Sequence, residues 1–250
     1  MQITRMRKVI YTCIIGDYDI LRQPEAMPPD WDFICFSNSV PPGRHGAWEV
    51  HPVPFSSPDA TVLSRYVKIL PHEVLQGYEW SLWVDANLLI KGPGLFEAAD
   101  EAIASGALVA QVRHPLRDCA YDEIKACAGS MKMGLREASE LRKYLKNEGL
   151  PRHFGLYENN IILRRHCDGM VAGISEDWWK EFLAHARRDQ PSLMLVYWRH
   201  SFKPSLLLGE GKNSRNVECV EYQPHTCWKE GWFRRKWKGI RRLFIEFFWR

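Results

Sequence analysis

At 250 residues, with 46% hydrophobic and 12% aromatic side chains, the chain is long enough to bury a sizeable core and too apolar for a disordered segment. Seven cysteines, at 13, 35, 119, 127, 167, 219 and 227, are odd in number and form no Cys-x-x-Cys pair. That argues against a disulfide framework or a zinc knuckle and for a reducing, cytoplasmic compartment. The net charge of +4 is uneven: residues 228–250 hold eight Lys or Arg against two acids, which is +6, and residues 1–227 carry −2.

Basic residues precede the first apolar stretch, but that stretch is short and runs into Gly16-Asp17-Tyr18-Asp19 without a small-residue cleavage site. It is expected to be a first strand over 8–15 and not a signal peptide. No apolar run approaches the ~20 residues of a spanning helix. A loop rich in Asp and Pro leads to a second strand over 31–36 and a short alternating one over 48–53. The stretch "SSPDATVLSRYVKIL" predicts a helix with Ser57 as N-cap, Pro58 at its first position and Asp59 in its first turn, stopping before Pro71.

Residues 81–92, "SLWVDANLLIKG", read as a buried strand with Asp85 and Asn87 set in the middle. Strand side chains alternate, so the two would project the same way. Next come an amphipathic helix ending at Gly106 and a strand over 107–115. Helices follow over 120–131 and 135–149, the second with apolar or small residues at 135, 138, 141 and 145 and Gly149 as its stop. A strand over 159–166, a helix over 175–188 with acids in its first turn, a helix over 190–200 and a late strand over 217–222 complete the pass. The alternation predicts an α/β fold with a mostly parallel sheet flanked by helices, and no internal repeat interrupts it. The division expected is a domain over 1–223 and a tail over 224–250.

In open α/β sheets ligands sit outside the carboxyl ends of strands, where Gly16-Asp17-Tyr18-Asp19 and Asp85-Ala86-Asn87 would both fall. An Asp and an Asn carbonyl suit Mg²⁺ or Mn²⁺ and leave positions for phosphate oxygens. The alternative is a turn or bulge in a hairpin, which the spacing alone favours. Arg65 and Lys68, three apart on one helix face, either reach a diphosphate or belong to a solvated face. An aromatic ring and an acid within Asp17-Tyr18-Asp19 suit a nucleoside's base and ribose, or the segment is a self-satisfied turn.

Six segments, "VIYTCIIGDYD", "WDFICFSN", "SRYVKILPHEVLQGYEWSLWVDANLLI", "RHPLRDCAYDE", "GLYENNIILRRH" and "RRDQPSL", occur together in an order and spacing that resembles a glycosyltransferase-like domain family of bacterial polysaccharide clusters and plant Golgi proteins. The match runs from about residue 8 to residue 200. More distantly, the stretch 65–90 and Asp189-Gln190 are similar to glycosyltransferase family 8, with the nucleotide-sugar-binding GT-A fold. The resemblance implies a nucleotide diphosphate sugar as donor, a glycan or lipid-linked saccharide as acceptor, and Mn²⁺ or Mg²⁺ as cofactor. It implies Asp85, Asn87 and a late His225 as metal ligands, with Arg65 and Lys68 also on the leaving-group side. Thr12, Gly16, Asp17, Tyr18, His114, Arg117, Asn159 and Asn160 would bind substrates, and Asp118, Glu158, Asp189 and Gln190 would be catalytic. The wider group carries Asp-x-Asp where this chain has Asn87, one negative charge fewer, so metal affinity is weaker or metal dispensable.

Taken singly, these residues have plainer readings: surface salt bridges for Arg117-Asp118 and Arg188-Asp189, a self-bonded loop for Glu158 and its asparagines, a packed side chain for His225. The tail has apolar residues at 233, 237, 240, 244 and 247 or 248, with Arg234, Arg235, Lys238, Arg241 and Arg242 largely opposite. It is expected to form an amphipathic helix, lying on anionic lipid at the inner face of the cell membrane or packing on the domain with a solvated basic side. Bulky apolar residues suit lipid better than nucleic acid, which is not an expected partner. The leading expectation is a glycosyltransferase of cell-surface polysaccharide synthesis. A metal-dependent hydrolase of a lipid or sugar phosphate, and a non-catalytic nucleotide- or glycan-binding module, are the alternatives.

Overall fold

The computed structural model describes residues 6–185, 187–225, Arg241 and Ile245. Its strands are β1 (Lys8–Ile14), β2 (Trp31–Ser37), β3 (Gly43–His45), β4 (Trp48–Pro52), β5 (Trp80–Val84), β6 (Leu88–Ile90), β7 (Val109–Arg113), β8 (Tyr157–Arg164), β9 (Ser205–Leu206) and β10 (Val220–Tyr222). Its helices are α1 (Ala60–Ile69), α2 (Pro71–Val74), α3 (Gly94–Ala104), α4 (Ala120–Gly129), α5 (Leu135–Asn147), α6 (Gly169–Ala184) and α7 (Asp189–Arg199). Eight strands form one sheet in the order β3-β4-β2-β1-β5-β8-β7-β9, and β6 and β10 form a second, two-stranded one. Neighbours in the β4-β2-β1-β5 half pair parallel, β8 runs antiparallel between β5 and β7, and β9 is parallel to β7.

Both faces of the large sheet are covered. Val9, Tyr11 and Cys13 of β1 join a core with α1 and α4–α7, while Ile10 and Ile14 join another with α3, Leu88 and Ile90. A strand buried on both sides has no polar alternation, which is why β1 is one apolar run. Among the described residues no helix is long and apolar enough to cross a membrane.

The structure moves several expected boundaries. Asp59, not Ser57, caps α1, its Oδ1 accepting from the amides of Thr61 (2.8 Å) and Val62 (3.2 Å), and Ser57 Oγ only accepts from Asp59 N. A carboxylate satisfies helix N–H groups and meets the positive end of the dipole, so it outcompetes the hydroxyl. Helix α6 begins at Gly169 behind Asp168, whose Oδ1 accepts from Met170 N (2.9 Å); Glu176 and Asp177 therefore lie in its interior and not in its first turn. The 81–92 segment is not one strand. It ends as β5 at Val84, turns with Leu88 N bonded to Asp85 O (2.9 Å), and continues as β6 against β10, so same-face alternation does not relate Asp85 to Asn87. The short β3 is an addition that its exposed Gly-Arg-His sequence did not announce.

Most of the expected tail helix lies outside the described residues. Of its two described positions, Ile245 is 1% exposed and packs in the core with α4–α7, and Arg241 donates to Met133 O (2.6 Å).

The C-terminus of α1 is fastened from two strands. Arg164 of β8, buried at 3% exposure, donates to Lys68 O (2.6 Å) and Ile69 O (3.4 Å) and to the Tyr11 hydroxyl of β1, which itself donates to Lys68 O (3.2 Å). Terminal helix carbonyls that point inward must find donors, and a guanidinium supplies several while complementing the dipole. Burial pushes the Tyr11 phenol up to about 12, so it stays a donor. Replacing Arg164 with Leu is expected to lower the unfolding free energy by about 3 kcal/mol through the orphaned carbonyls, read as a lower urea midpoint at unchanged slope.

Candidate functional site

Strand direction decides which side chains can meet. β1, β2, β5 and β7 point the same way, and antiparallel β8 brings its first residues to their carboxyl edge. Gly16–Asp19 after β1, Asp85–Asn87 after β5, His114–Asp118 after β7 and Glu158–Asn160 at the start of β8 therefore share one edge of the sheet. The link is direct at one point, where Asp85 N donates to Asn160 O (2.8 Å).

The centre of this edge is a buried ion cluster. Lys68, 1% exposed, places Nζ 3.2 Å from Asp85 Oδ1 and 3.1 Å from Asp189 Oδ2. Arg65 Nε lies 3.1 Å from the same Asp189 oxygen, and Trp83 Nε1 donates to Asp85 Oδ1 (2.7 Å). Burial alone would raise the Asp189 carboxyl, but the charges of Lys68, Arg65 and Arg188 with the Lys68 hydrogen bond hold it far below the usual carboxylate range. A carboxylate so stabilised is a weak base, so its geometry suits it to orienting two cations. Arg65, with a quarter of its side chain exposed, is the cation open to a ligand; Lys68 is sealed behind it.

Glu158 and Asn160 are tied to a segment that no sequence motif marks. Glu158 pairs with Arg215 and accepts from Ser214 N (3.2 Å) and Ser214 Oγ, while Asn160 Nδ2 bonds Ser214 Oγ (2.9 Å) and the Tyr222 hydroxyl. Ser214 and Arg215 sit in "GEGKNSRN", which reads as an ordinary polar loop, and only the fold reveals their partners. Asn159 accepts from Gln111 Nε2 (3.0 Å), and Gln190 Nε2 donates to Tyr157 O (3.0 Å), setting α7 against the start of β8. Three buried polar atoms on these strands, Thr12 Oγ1, Asn159 Nδ2 and Asn160 Oδ1, have no partner among the described residues. Such atoms are costly unless a ligand or water satisfies them. Thr12 and Asp85 line one narrow cleft with Ile20, Arg22, Trp48 and Leu88. A larger groove of about 750 Å³, between α3 and residues 205–219, is lined by none of the predicted site residues.

The turn after β7 is held by its own bonds. His114 Nδ1 accepts from Leu116 N (3.2 Å) and Arg117 N (3.0 Å), and Arg117 Nε donates to the buried Glu123 (2.7 Å). Burial lowers the His114 imidazole, favouring the neutral ring that this acceptor role needs. Asp118 is exposed and paired with His153 (2.8 Å), so its partner is not the neighbouring Arg117. No hydrogen bond or ion pair among the described residues joins His114, Arg117 or Asp118 to the Lys68 cluster.

After β1, Gly16 takes φ +58°, a left-handed turn suited to glycine, and donates to Asn38 Oδ1 (2.8 Å). Asp17 and Tyr18 are exposed, and the Tyr18 ring lies 4.5 Å from that of His225. His225 arrives through the β6–β10 pairing: Gln223 N bonds Asn87 O (2.8 Å), so the three predicted metal ligands, Asp85, Asn87 and His225, belong to one neighbourhood. Among the described residues no three His, Cys, Asp or Glu side chains form a closed ligand set. Asp85 Oδ1 is committed to Lys68 and Trp83, which leaves Oδ2. Oδ2 and His225 Nε2 are hard-oxygen and imidazole donors of the kind that suit Mn²⁺ or Mg²⁺ sharing its sphere with phosphate.

No protein-family model matches the chain, and no curated protein matches it. Solved structures do align with it. Apo mouse xyloside xylosyltransferase 1 aligns over 78% of this chain and 83% of its own, at 12% identity and a TM-score of 0.45. The apo bifunctional glycosyltransferase WbbM aligns over 82% of this chain at 10% identity and a TM-score of 0.44, and the chain spans 39% of it. The galactosyltransferase LgtC in complex with donor and acceptor sugar analogues aligns over 93% and 95%, at 9% identity and a TM-score of 0.47.

Asp189→Asn removes the shared counter-ion and is expected to lower the unfolding free energy at pH 7 by about 3–5 kcal/mol. The depressed carboxyl contributes stability above the unfolded pKa of about 4 and loses it as the pH falls. The gap between wild type and variant in urea unfolding should therefore narrow by roughly 1 kcal/mol at pH 3. Equal stabilities at pH 7 would remove Asp189 from any supporting role.

Proposed function

We propose that this protein is a glycosyltransferase that moves a sugar from a nucleotide diphosphate sugar to a glycan or lipid-linked saccharide in cell-surface polysaccharide synthesis. The observation that carries the reading is the cation pair Arg65 and Lys68, fixed by Asp189 and Asp85 at the carboxyl edge of the sheet. Glycosyl transfer breaks the bond from the anomeric carbon to a phosphate oxygen through an oxocarbenium-like state, and the departing diphosphate needs preorganised positive charge. Arg65 offers that charge directly. Buried Lys68 adds its field at short range and is kept from collapsing onto the ligand by its two carboxylates.

Thr12, Gly16, Asp17 and Tyr18 at the end of β1 are assigned to the nucleoside. Asn159 and Asn160, each with an unsatisfied amide atom, are assigned to sugar hydroxyls, which donate and accept. Glu158, neutralised by Arg215, and Gln190, anchored on Tyr157, stand where donor sugar and acceptor would approach each other. Mn²⁺ or Mg²⁺ arriving with the nucleotide would be held by Asp85, Asn87 and His225 and would lend further positive charge to the diphosphate. The basic tail is assigned to anionic lipid at the inner membrane face, where a lipid-linked acceptor is presented.

A screen of nucleotide sugars with a lipid-linked saccharide, read by mass spectrometry, should give an acceptor heavier by one glycosyl unit together with free nucleoside diphosphate. Hydrolysis of a phosphate ester at a rate indifferent to acceptor would instead favour a hydrolase. Arg65→Gln should weaken UDP or GDP binding by roughly 10- to 100-fold while the fold persists, because a charge-assisted hydrogen bond to phosphate is lost. Isothermal titration measures it.

Polybasic attraction to anionic lipid is worth about 1 kcal/mol per Lys or Arg near the surface and is screened by salt. Changing Arg234, Arg235 and Lys238 together to Glu should therefore abolish sedimentation with phosphatidylserine vesicles at low salt. Sedimentation equal to wild type would exclude the tail as the membrane contact.

A further inference from the structure

The metal reading of His225 leaves open what orients its ring. An imidazole binds metal through one nitrogen only if the other carries the proton, and a partner that can only accept settles which one that is. Asp19 Oδ1 lies 2.8 Å from His225 Nδ1. A carboxylate there accepts from Nδ1–H, so the neutral ring turns a bare Nε2 lone pair outward. Among the described residues nothing hydrogen-bonds Nε2. The Tyr18 ring, 4.5 Å away and tilted by 42°, packs beside the imidazole and limits its rotation.

The surroundings bring this pair close to the cluster. Gln223, two residues before His225, bonds the Asn87 carbonyl, and Asp19 is close enough to Asp85 for the two charges to repel. Asp19 is only 10% exposed at its side chain, which is unusual for an acid in a loop whose preceding residues, Asp17 and Tyr18, are exposed. An acid used only for solvation has no reason to be enclosed.

We propose that Asp19 is a positioning residue that fixes the His225 tautomer and makes the site prefer Mn²⁺ over Mg²⁺, acting through the imidazole and not by touching ion or substrate. The inference rests on the proposed role of His225 toward a divalent ion. Imidazole adds more to Mn²⁺ affinity than to the affinity of the harder Mg²⁺, so a correctly presented Nε2 separates the two ions. In Asp19→Asn the amide can accept from Nδ1–H through its oxygen or donate to Nδ1 through its NH₂, so the tautomer is no longer fixed, and the ring loses the negative charge that raises its basicity toward a metal. Asp19→Glu keeps an acceptor and should rescue in part.

The test uses the full-length protein with saturating UDP and, separately, GDP, titrated with Mn²⁺ while free ion is followed by electron paramagnetic resonance. Wild type should bind Mn²⁺ with a ¹⁴N spin-echo modulation from a directly bound imidazole. Asp19→Asn should lose roughly 10- to 100-fold in Mn²⁺ affinity and lose the ¹⁴N modulation, while Mg²⁺ affinity, metal-free UDP binding and thermal midpoint stay near wild type. Asp19→Asn with unchanged Mn²⁺ affinity and modulation overturns the proposal. So does equal loss of Mn²⁺ and Mg²⁺ affinity together with a lowered midpoint, which marks the Asp19–His225 contact as a structural tether. Nucleotide binding by wild type with no ¹⁴N modulation rejects His225 as a ligand and this proposal with it, yet leaves the transferase reading standing. Failure of wild type to bind either nucleotide, with or without metal, rejects that reading as well.

Discussion

An ammonium group taken out of water must be paired, and the pairing of Lys68 organises this protein. Desolvating a cation and a carboxylate costs several kcal/mol each, recovered only if geometry and further hydrogen bonds are good. Lys68 meets that demand with Asp189 of α7 and Asp85 beyond β5, while Trp83 donates a further hydrogen bond to Asp85 and Arg65 adds a second positive charge beside Asp189. One side chain thereby ties three elements that are distant in sequence. The backbone of the same residue is fastened from β8 and β1 by Arg164 and Tyr11. Position 68 is therefore restrained at both ends of its side chain, and a ligand meeting Arg65 one turn earlier meets a rigid wall.

That rigidity has a chemical purpose under the proposed function. Charge that must stabilise a leaving group works best when it does not have to reorganise. A lysine on an open surface loses most of its field to solvent and salt, whereas one sealed between carboxylates keeps its position without neutralising the ligand site. The two acids hold both cations in place, and Arg65, the partly exposed member, is the one that a ligand can meet.

Much of this was legible in the chain. Arg65, Lys68 and Asp85 stand out because charged residues in otherwise apolar or amphipathic segments need a reason, whereas Asp189, in a polar stretch, is marked only by the resemblance to family 8. Strand β1 was clear because burial on both faces leaves an unbroken apolar run, and α5 because Ala138, Leu141 and Leu145 keep helical spacing. Other features depend on choices that local sequence leaves open. Ser57 and Asp59 are both competent caps by residue type, and it is the Asp59 carboxylate that takes the amides of Thr61 and Val62. Gly169 and Gly173 argue against a helix, yet Asp168 starts one and the buried Val171, Ile174 and Trp178 carry it through. The split at Asp85 required β10, more than 130 residues later, to draw β6 away from the main sheet. Ser214, Arg215 and the Asp19–His225 contact were hidden for the same reason: their partners are remote, and polar loop residues carry no periodicity that would point to them.

The β6–β10 pairing also bears on the order in which the molecule matures during synthesis. Strands β1, β2, β4 and β5 are all made by residue 84 and pair in one run, so half of the large sheet is available early. Asp19 and His225, by contrast, are 206 residues apart, and Glu158 waits 57 residues for Arg215. Contacts of such separation form late, after loop closure has been offset by the rest of the core. A nascent chain would therefore hold a folded scaffold well before it holds a finished polar edge, and chains interrupted before residue 214 would lack the partners of Glu158, Asn160 and Asp19 altogether. Completion of the polar edge thus waits, by topology alone, on the synthesis of residues 214–225.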